Sequence, residues 1–223
     1  MNARTVWSPL LALLIAAVVW AADRVVVEDW SKVPRGTRGI QAGWTGQNWG
    51  SPAYDLTVEE DGGHPVLHLR SRDEGSTISK EIEGRVKLAE TPVLQWSWKV
   101  ATLPTGGDSR HKATDDQAAQ VYVAWPRFPK ELRSRIIGYV WDTTAPVGTV
   151  VRSQKTSTIT YVVVRSGTAD LGRWLTERRN VVEDFKRIYG EAPDNPAAVS
   201  VAIDSNDTHS TAESYIGEII FTR

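Results

Sequence analysis

The segment at residues 202–221, AIDSNDTHSTAESYIGEIIF, places oxygen-bearing side chains between two apolar stretches. Asp204, Asn206 and Asp207 fall within four positions, and Thr208 follows directly. Calcium takes about six to eight oxygen ligands, often from Asp and Asn at alternating positions. These three side chains are therefore the candidates for a structural Ca²⁺ site. Asp and Asn also form side-chain-to-backbone turns, and this interpretation is favoured over a cation or a ligand contact.

A second acidic pair, Asp115 and Asp116, precedes the apolar segment QAAQVYV. Adjacent residues of a strand point to opposite faces, so the two carboxyl groups make a poor catalytic pair with each other. A glycosidase needs two carboxyl groups roughly 5 to 9 Å apart. Either residue could form such a pair only with Asp142 or Asp204, from another strand end. A charged strand entry, paired with a nearby Lys or Arg, is the favoured alternative.

Several of the apolar segments could together form one surface that combines aromatic and polar side chains. Pockets combine aromatic rings with a few polar groups, which suits a sugar with its apolar and hydroxyl sides. The residues expected to line this face are Lys99, Asp116, Gln120, Tyr139, Trp141 and Arg165, with Asp204 and Asp207 at its rim. Tyr122 is expected on the same surface. A core position is the alternative for Trp141, and Trp141→Ala tests it, because loss of a surface ring weakens binding without unfolding the protein.

The sequence predicts no catalytic residue set. It contains no cysteine, no G-x-S-x-G elbow and no phosphate-binding glycine loop. His64 and His68 lie about 13 Å apart on a strand, too far for a shared zinc ion. Among the ten tryptophans, Trp44 and Trp49 in the glycine-rich stretch GWTGQNWGS are the better candidates for exposure.

The elements that position these residues are mostly strands. Short segments rich in Val, Ile, Tyr, Trp and Thr alternate with turn residues, as in a sandwich or barrel. In the segment PVLQWSWKV, Leu94, Trp96, Trp98 and Val100 share one face. The predicted fold is all-β, a two-sheet antiparallel β-sandwich of jelly-roll type.

One segment has helical spacing instead. In NVVEDFKRIYGE, residues 180–191, apolar side chains recur every three or four positions. Asn180 is placed to cap this helix, with Glu183 three residues later, and Gly190 is a natural stop. The sequence therefore predicts one short helix near residues 180–190, lying between strands.

The amino terminus has the pattern of a secretory signal peptide. Arg4 precedes the apolar run at residues 10–19, and Ala21 and Ala22 supply small residues for cleavage. The run is shorter than the roughly 20 residues of a bilayer span, and an uncleaved anchor is the alternative. We expect a signal peptide at 1–21, a single β-sandwich domain at 22–223, no membrane span after cleavage, and a periplasmic or secreted protein.

Composition narrows the function classes. The chain has 26 Lys and Arg against 27 Asp and Glu, so it lacks the basic excess of a general nucleic-acid binder. Without cysteine, an exported chain cannot use disulfides, and packing must hold the fold.

Five segments carry a resemblance to a known family. They are KATDDQAAQVYV (112–123), IIGYVWDTTAPVGT (136–149), KTSTITYVVVRSG (155–167), RRNVVEDFKRIYGE (178–191) and AIDSNDTHSTAES (202–214). In order and spacing they resemble the exported bacterial family called domain of unknown function 3047 (DUF3047). The resemblance implies export and one domain but no assigned site. His209 stands where the family pattern implies glycine. The layout is also similar to jelly-roll carbohydrate-binding sandwiches, an analogy of fold alone.

These observations lead to three functional hypotheses. The first is an exported, non-catalytic protein that recognises a glycan or similar polar ligand, with no cofactor beyond the Ca²⁺ considered above. The second is a polysaccharide lyase or hydrolase using Asp116, Tyr139 and Arg165. The third is an envelope structural or assembly protein that binds other proteins through an exposed apolar patch.

Overall fold

The computed structural model describes residues 24–223, so the predicted signal peptide lies outside the described residues. Strands dominate this part of the chain. In chain order they are β1 (Arg24–Glu28), β2 (Thr45–Gly46), β3 (Leu56–Asp61), β4 (His64–Arg72), β5 (Gly75–Glu81), β6 (Val93–Thr102), β7 (Ala119–Trp125), β8 (Arg135–Asp142), β9 (Val150–Arg152), β10 (Ile159–Ser166), β11 (Leu175–Asn180), β12 (Ala198–Asp204) and β13 (Thr211–Thr222). Two α-helices accompany them, α1 (Lys130–Arg133) and α2 (Val181–Tyr189), with a short 3₁₀ turn at Lys112–Thr114.

The strands form two sheets that face each other. Sheet A has the order β11-β6-β13-β4-β3, with β1 also paired to β13. Sheet B has the order β2-β5-β12-β7-β8-β10-β9. Strands distant in sequence are neighbours in both sheets, as in a jelly roll. The predicted two-sheet sandwich is confirmed.

The inner faces of the two sheets form the main core. Leu94, Trp96, Trp98 and Val100 of β6 are fully buried, as their alternation predicts. Apolar residues of β7, β10 and β12 pack against them from sheet B. β6 pairs with β13 on one side and with β11 on the other, so it is an interior strand of sheet A.

Tyr139 and Trp141 belong to this core, which corrects their expected place on a ligand-binding face. Both are buried, and Tyr139 stacks on Trp96 with ring centroids 5.2 Å apart. Trp141 packs against Trp98 at 5.9 Å. The physical reason is the alternation of side chains along β8. Its odd-numbered side chains point into the space between the sheets, and its even-numbered side chains point away from the core.

One strand pair departs from the expected antiparallel arrangement. β10 runs parallel to β8, with Tyr161 opposite Gly138. β9 occupies the sheet edge and pairs antiparallel with β10. After β8, the chain therefore passes to the edge of the sheet and forms β9 there. It then returns as β10, which lies between β9 and β8 and runs in the same direction as β8.

α2 is the predicted helix. The Asn180 side chain accepts hydrogen bonds from the backbone N–H groups of Val182 and Glu183, and Gly190 ends the helix in the left-handed region with φ 74°. Phe185 of α2 packs against Trp125 with ring centroids 4.8 Å apart. The four-residue α1, between β7 and β8, was not predicted. Within the described residues, no helix combines the length and apolar character that crossing a bilayer requires.

Candidate ligand-binding cleft

A cleft of about 750 Å³ lies on the outer face of sheet B, and we call it the sheet-B cleft. Its floor follows one register row across five strands. Ser79, Ser200, Tyr122, Gly138 and Tyr161 stand side by side in β5, β12, β7, β8 and β10. The loop at residues 47–52 contributes to the lining on one side, and the loop at residues 153–156 contributes on the other.

Small residues give the floor its depth. A side chain at Gly138 would stand only 2.6 Å from the ring of Tyr122 and 3.1 Å from that of Tyr161. The glycine therefore leaves room for both tyrosine rings over β8. Ala124, Ala198 and the neighbouring serines keep the rest of the floor low.

The two tyrosine rings of the floor belong to a small apolar cluster on the outer face of sheet B. It consists of Tyr122, Val140, Ala145, Tyr161, Val163 and Ala202. The Tyr122 hydroxyl donates to the Gln120 side chain, and Gln120 Nε2 donates to the Gln117 carbonyl at 3.2 Å. Ser79 and Ser200 hydroxyls are hydrogen-bonded at 2.7 Å. Hydrogen bonds therefore hold the polar groups that lie beside the rings of the floor.

Asp115 and Asp204 mark one end of the cleft, and Lys155 lies beside them. Burial, and next the charge of Asp116, raises the pKa of Asp204 to about 8. Burial also raises the pKa of Asp115, although hydrogen bonds from Gln117 and Ser153 oppose the shift. Asp204 therefore holds its proton at neutral pH. The chemistry available at this end is that of a neutral carboxyl donor beside a second acid.

The loop between β12 and β13 is held by Asp116, which corrects the expectation that Asp116 lines the ligand face. Its carboxylate is fully buried and accepts from the N–H of Asp207 at 3.1 Å and from the N–H and hydroxyl of Thr208 at 2.6 Å each. His209 adopts the left-handed region with φ 48°, so histidine makes the turn that the family pattern implies for glycine. Its ring contacts Asp73 at 2.8 Å.

This geometry bears on the calcium candidates without testing calcium binding. Asp207 forms an ion pair with Lys155, and Asp204 faces the cleft. Residues 24–223 contain no cluster of three or more His, Asp or Glu side chains suited to a metal ion. A Ca²⁺ ion held by Asp204, Asn206 and Asp207 stays a prediction.

Trp49 is an exposed aromatic ring among the residues that line the cleft, with 61% of its surface accessible. The Gln47 side chain anchors its loop by accepting from the Thr77 N–H at 2.8 Å and donating to the Trp49 carbonyl at 3.0 Å. Trp44, the other tryptophan expected to be exposed, is buried and stacks on Trp30 at 5.4 Å.

The structure separates the other predicted site residues. Of that set, Gln120 and Asp204 line the cleft. Lys99 lies on the outer face of sheet A, where it pairs with Asp61 and sits 4.1 Å from the Tyr215 ring centroid. Arg165 lies outside the cleft and pairs with Glu177 at 2.7 Å. Neither shares a surface with Gln120: Lys99 belongs to the other sheet, and a register shift in β10 between Val163 and Arg165 places Arg165 opposite the inward-facing Trp141.

Sequence reasoning missed Tyr161, Asp115 and Lys155 as cleft residues. Alternation in ITYVVVRS would have placed Tyr161 on the face opposite to Val162, but not beside Tyr122. That neighbourhood depends on the parallel pairing of β10 with β8, which no local pattern indicates.

One comparison with known proteins shows the family, and another finds distant structural similarity. A family model described as "Protein of unknown function (DUF3047)" matches residues 42–220. The CBM22-1 xylan-binding domain of Xyn10C from Paenibacillus barcinonensis is 14% identical, over 91% of this chain and 96% of that domain, with a TM-score of 0.41. No curated protein matches the sequence.

Two further solved structures are similar in the same degree. The family 30 carbohydrate-binding module of a cellulosomal cellulase from Clostridium thermocellum is 12% identical, over 89% of this chain and 96% of that one, with a TM-score of 0.45. The xyloglucanase domain of a type three effector from Sinorhizobium fredii is 12% identical, over 84% and 98%, with a TM-score of 0.44. At these values, no ligand or residue role is carried over to this chain.

Proposed function

The chain belongs to the DUF3047 family, and we propose that it is an exported protein that binds a glycan or similar polar ligand in the sheet-B cleft. The observation that carries the proposal is the combination of a roughly 750 Å³ open groove with ring-bearing and polar residues on its floor. Ligand sites are concave, largely preformed, and mix apolar contact with a few polar groups. The proposal also includes export by residues 1–21 to the periplasm or the medium.

The floor offers both kinds of contact that a sugar needs. Tyr122 and Tyr161 present parts of their rings, and rings pack against apolar C–H faces. Ser79, Ser200 and Thr77 stand in neighbouring positions of the same surface and can exchange hydrogen bonds with hydroxyl groups. A row of such residues across five strands suits an extended ligand better than a compact one.

Trp49 is the ring we assign to stacking on the ligand. It is exposed without a ligand, and its backbone is tied to β5 through Gln47. Covering an exposed indole removes a large apolar area from water, and a prepositioned ring loses little conformational entropy on binding.

Binding to a broad glycan panel, with calcium and with chelator, tests the proposal. We expect at least one glycan to bind, and Trp49→Ala to weaken binding by about tenfold, equivalent to about 1.4 kcal/mol. Phe128→Ala is the matched control, because Phe128 is 84% exposed and is not among the cleft residues. Lys99→Gln, on the outer face of sheet A, is expected to leave binding unchanged.

The results with calcium and with chelator distinguish ligand binding by the cleft alone from binding that requires a bound Ca²⁺ ion. Hits that disappear with chelator support a Ca²⁺ ion at the loop between β12 and β13, whereas hits that survive assign that loop to bracing alone. Equal weakening by Trp49→Ala and Phe128→Ala would place the ligand elsewhere. A blank panel overturns the proposal and favours the envelope-assembly hypothesis.

A second candidate function, glycan cleavage, has one specific observation in its favour. Asp204 keeps its proton at neutral pH and faces the cleft beside Asp115, and a proton donor with a second carboxyl group is the equipment of glycoside hydrolysis. Release of reducing ends or unsaturated product from a bound glycan, abolished by Asp204→Asn, supports cleavage. Binding without product supports the binding protein.

A further inference from the structure

We propose that the loop between β7 and β8 docks on the surface of an anionic phospholipid bilayer. Two apolar side chains of the loop enter the bilayer surface, and two basic side chains face the lipid phosphates. The loop covers residues 126–134, with the sequence PRFPKELRS, and we call it the β7–β8 tip. The inference is independent of the glycan proposal, because no residue of the tip lines the sheet-B cleft.

The tip carries the two most exposed large apolar side chains among residues 24–223. Phe128 is 84% exposed and Leu132 is 71% exposed, and they lie four residues apart. Neither belongs to a core cluster, and α1, which forms part of the tip, has no buried residue. Single exposed apolar residues are ordinary, whereas neighbouring ones mark an interaction site. These two side chains are therefore available to a partner without any loss of packing in the fold.

Hydrogen bonds give the tip a defined shape. The backbone N–H groups of Leu132 and Arg133 donate to the Pro129 carbonyl at 3.1 and 2.9 Å. The Ser134 hydroxyl accepts from the backbone N–H of Arg127 at 3.3 Å, which ties the two ends of the loop together. A loop that is already folded loses little conformational entropy when it binds.

Basic residues are concentrated in the same short stretch. Residues 126–135 contain four Lys or Arg and one acid, Glu131, in a chain whose basic and acidic residues are nearly equal in number. Lys130 and Arg133, which lie on either side of Leu132 in the sequence, are exposed. Neither forms an ion pair within the described part of the chain. The exposed apolar side chains are thus accompanied by two cations that no acid of this part of the chain neutralises.

The other two basic residues lie at the base of the loop and are paired. Arg127 contacts Glu191 at 2.6 Å and Asp194 at 3.9 Å, and Arg135 contacts Glu191 at 3.9 Å. These ion pairs hold the loop against the segment that follows α2. The unpaired cations are therefore those of α1, next to the exposed apolar side chains.

An anionic bilayer surface matches both features of the tip. Interfacial segments bury Phe and Leu at the boundary between headgroups and acyl chains, while Lys and Arg stay with the anionic headgroups. A protein partner fits less well, because a standard protein interface covers about 800 Å² on each side, and two projecting side chains on a short loop offer far less. A bilayer requires no such shape complementarity.

The position of the tip gives this contact a consequence for the cleft. Ala124 of β7 and Ile136 of β8, close to the tip in the sequence, line the sheet-B cleft. A protein docked through the tip therefore holds this cleft near the membrane surface. The contact is peripheral and reversible, since two apolar side chains and two charges bind a bilayer weakly.

Sedimentation with lipid vesicles tests the inference. The protein is residues 22–223, which include both sheets and leave out the apolar run at residues 10–19 that would itself bind lipid. We expect binding to vesicles of phosphatidylcholine with about one third phosphatidylglycerol, and at least tenfold weaker binding to phosphatidylcholine alone. Raising the salt from about 0.05 M to about 0.5 M should weaken binding to the anionic vesicles, because salt screens the attraction of the two cations.

Two double variants remove the two kinds of contact. Phe128→Ser with Leu132→Ser is expected to weaken binding to the anionic vesicles at least tenfold. Lys130→Gln with Arg133→Gln should remove most of the preference for phosphatidylglycerol. Val147→Ser is the matched control, because Val147 is 62% exposed in the loop that follows the opposite end of β8, and it should bind like the unaltered protein. All four positions of the double variants are exposed, so urea unfolding should be the same for every variant.

A site-specific fluorophore shows which surface meets the lipid. The chain contains no cysteine, so Glu131→Cys provides a single labelling site at the tip, and Val147→Cys provides one at the control position. With a fluorophore that responds to polarity, the emission of the label at position 131 should shift to shorter wavelength with anionic vesicles, and that at position 147 should not.

Three results would overturn the inference. They are the absence of binding to anionic vesicles, equal binding by the unaltered protein and the Phe128→Ser, Leu132→Ser variant, and a spectral shift at position 147 without one at position 131. Binding that is lost in Trp49→Ala but kept in the tip variants would place the lipid contact at the rim of the cleft and has the same meaning. None of these results affects glycan binding, which the panel measures without lipid.

Discussion

At the scale of single residues, the charge of Asp204 is decided by its surroundings. Burial and the charge of Asp116 raise its pKa from 3.8 to about 8, and Gly75 leaves room for its side chain, since a Cβ there would stand 2.9 Å from its oxygen. A carboxyl group with this pKa is a hydrogen-bond donor at neutral pH and an acceptor in alkali. Ligand binding and stability should therefore both respond to pH through this residue.

Asp204 makes the protein less stable as the pH rises. The folded protein keeps this proton up to about pH 8, whereas the unfolded chain loses it near pH 4. Between these values the folded state binds more protons, so its free energy of unfolding falls with increasing pH. Asp204→Asn lacks this dependence. Between pH 4 and pH 9 we expect the variant to gain at least about 1.4 kcal/mol relative to the unaltered protein, the equivalent of one pKa unit.

Urea unfolding at several pH values measures this difference. Glu131→Gln, which removes an exposed carboxyl group of α1, serves as the control and should run parallel to the unaltered protein. Parallel curves for Asp204→Asn as well would show that Asp204 is ionised in the folded state at neutral pH.

At the scale of elements, β8 separates the core from the cleft. Its residues alternate between Ile137, Tyr139 and Trp141 on the inner side and Gly138 and Val140 on the outer side. The absence of a side chain at Gly138 makes the floor, because the rings of Tyr122 and Tyr161 occupy that space. The same strand thus contributes large aromatic rings to the core between the sheets and a glycine, without a side chain, to the floor of the cleft.

Gly138→Val should damage the cleft more than the fold. The added side chain overlaps the Tyr122 ring, so we expect both tyrosines to move, at least tenfold weaker glycan binding, and a stability loss of about 1 to 3 kcal/mol from overpacking. Binding assays and urea unfolding measure the two effects. Ile137→Val, the neighbouring change on the inner face, should cost about 0.5 to 1.5 kcal/mol and leave binding unchanged. Unchanged binding in Gly138→Val would remove Tyr122 and Tyr161 from the ligand site.

At the scale of the whole molecule, aromatic rings join the two sheets. Trp96 and Trp98 of sheet A meet Tyr139 and Trp141 of sheet B across the core. The Trp141 Nε1 also donates to the Gly167 carbonyl at 3.2 Å, which fixes the ring. Trp141 is therefore part of the packing that holds the sandwich together.

Trp141→Ala should destabilise the molecule by about 3 to 5 kcal/mol, the usual cost of removing a buried large aromatic side chain. Urea unfolding measures the loss. At temperatures where the variant stays folded, glycan affinity should match that of the unaltered protein, because Trp141 does not line the cleft. A stable variant with weak binding would restore Trp141 to the ligand site.

Local patterns were sufficient for much of the fold. Alternation in β6 identified its four buried side chains, and Asn180 and Gly190 marked the ends of α2, because strand facing and helix capping depend on residues a few positions apart. The turn role favoured for the DSNDT loop is consistent with its bonds to Asp116, but the sequence named neither Asp116 as the brace nor Lys155 as a partner.

Only the tertiary structure decided which residues form the cleft. In β8 both alternating sets are apolar or aromatic, so alternation shows that Tyr139 and Trp141 share a face but not that this face points inward. The direction follows from the opposing sheet, and the meeting of Tyr122, Gly138 and Tyr161 follows from strand pairings across distant segments. A pattern of period two assigns residues to faces, whereas burial and contact depend on what packs against each face.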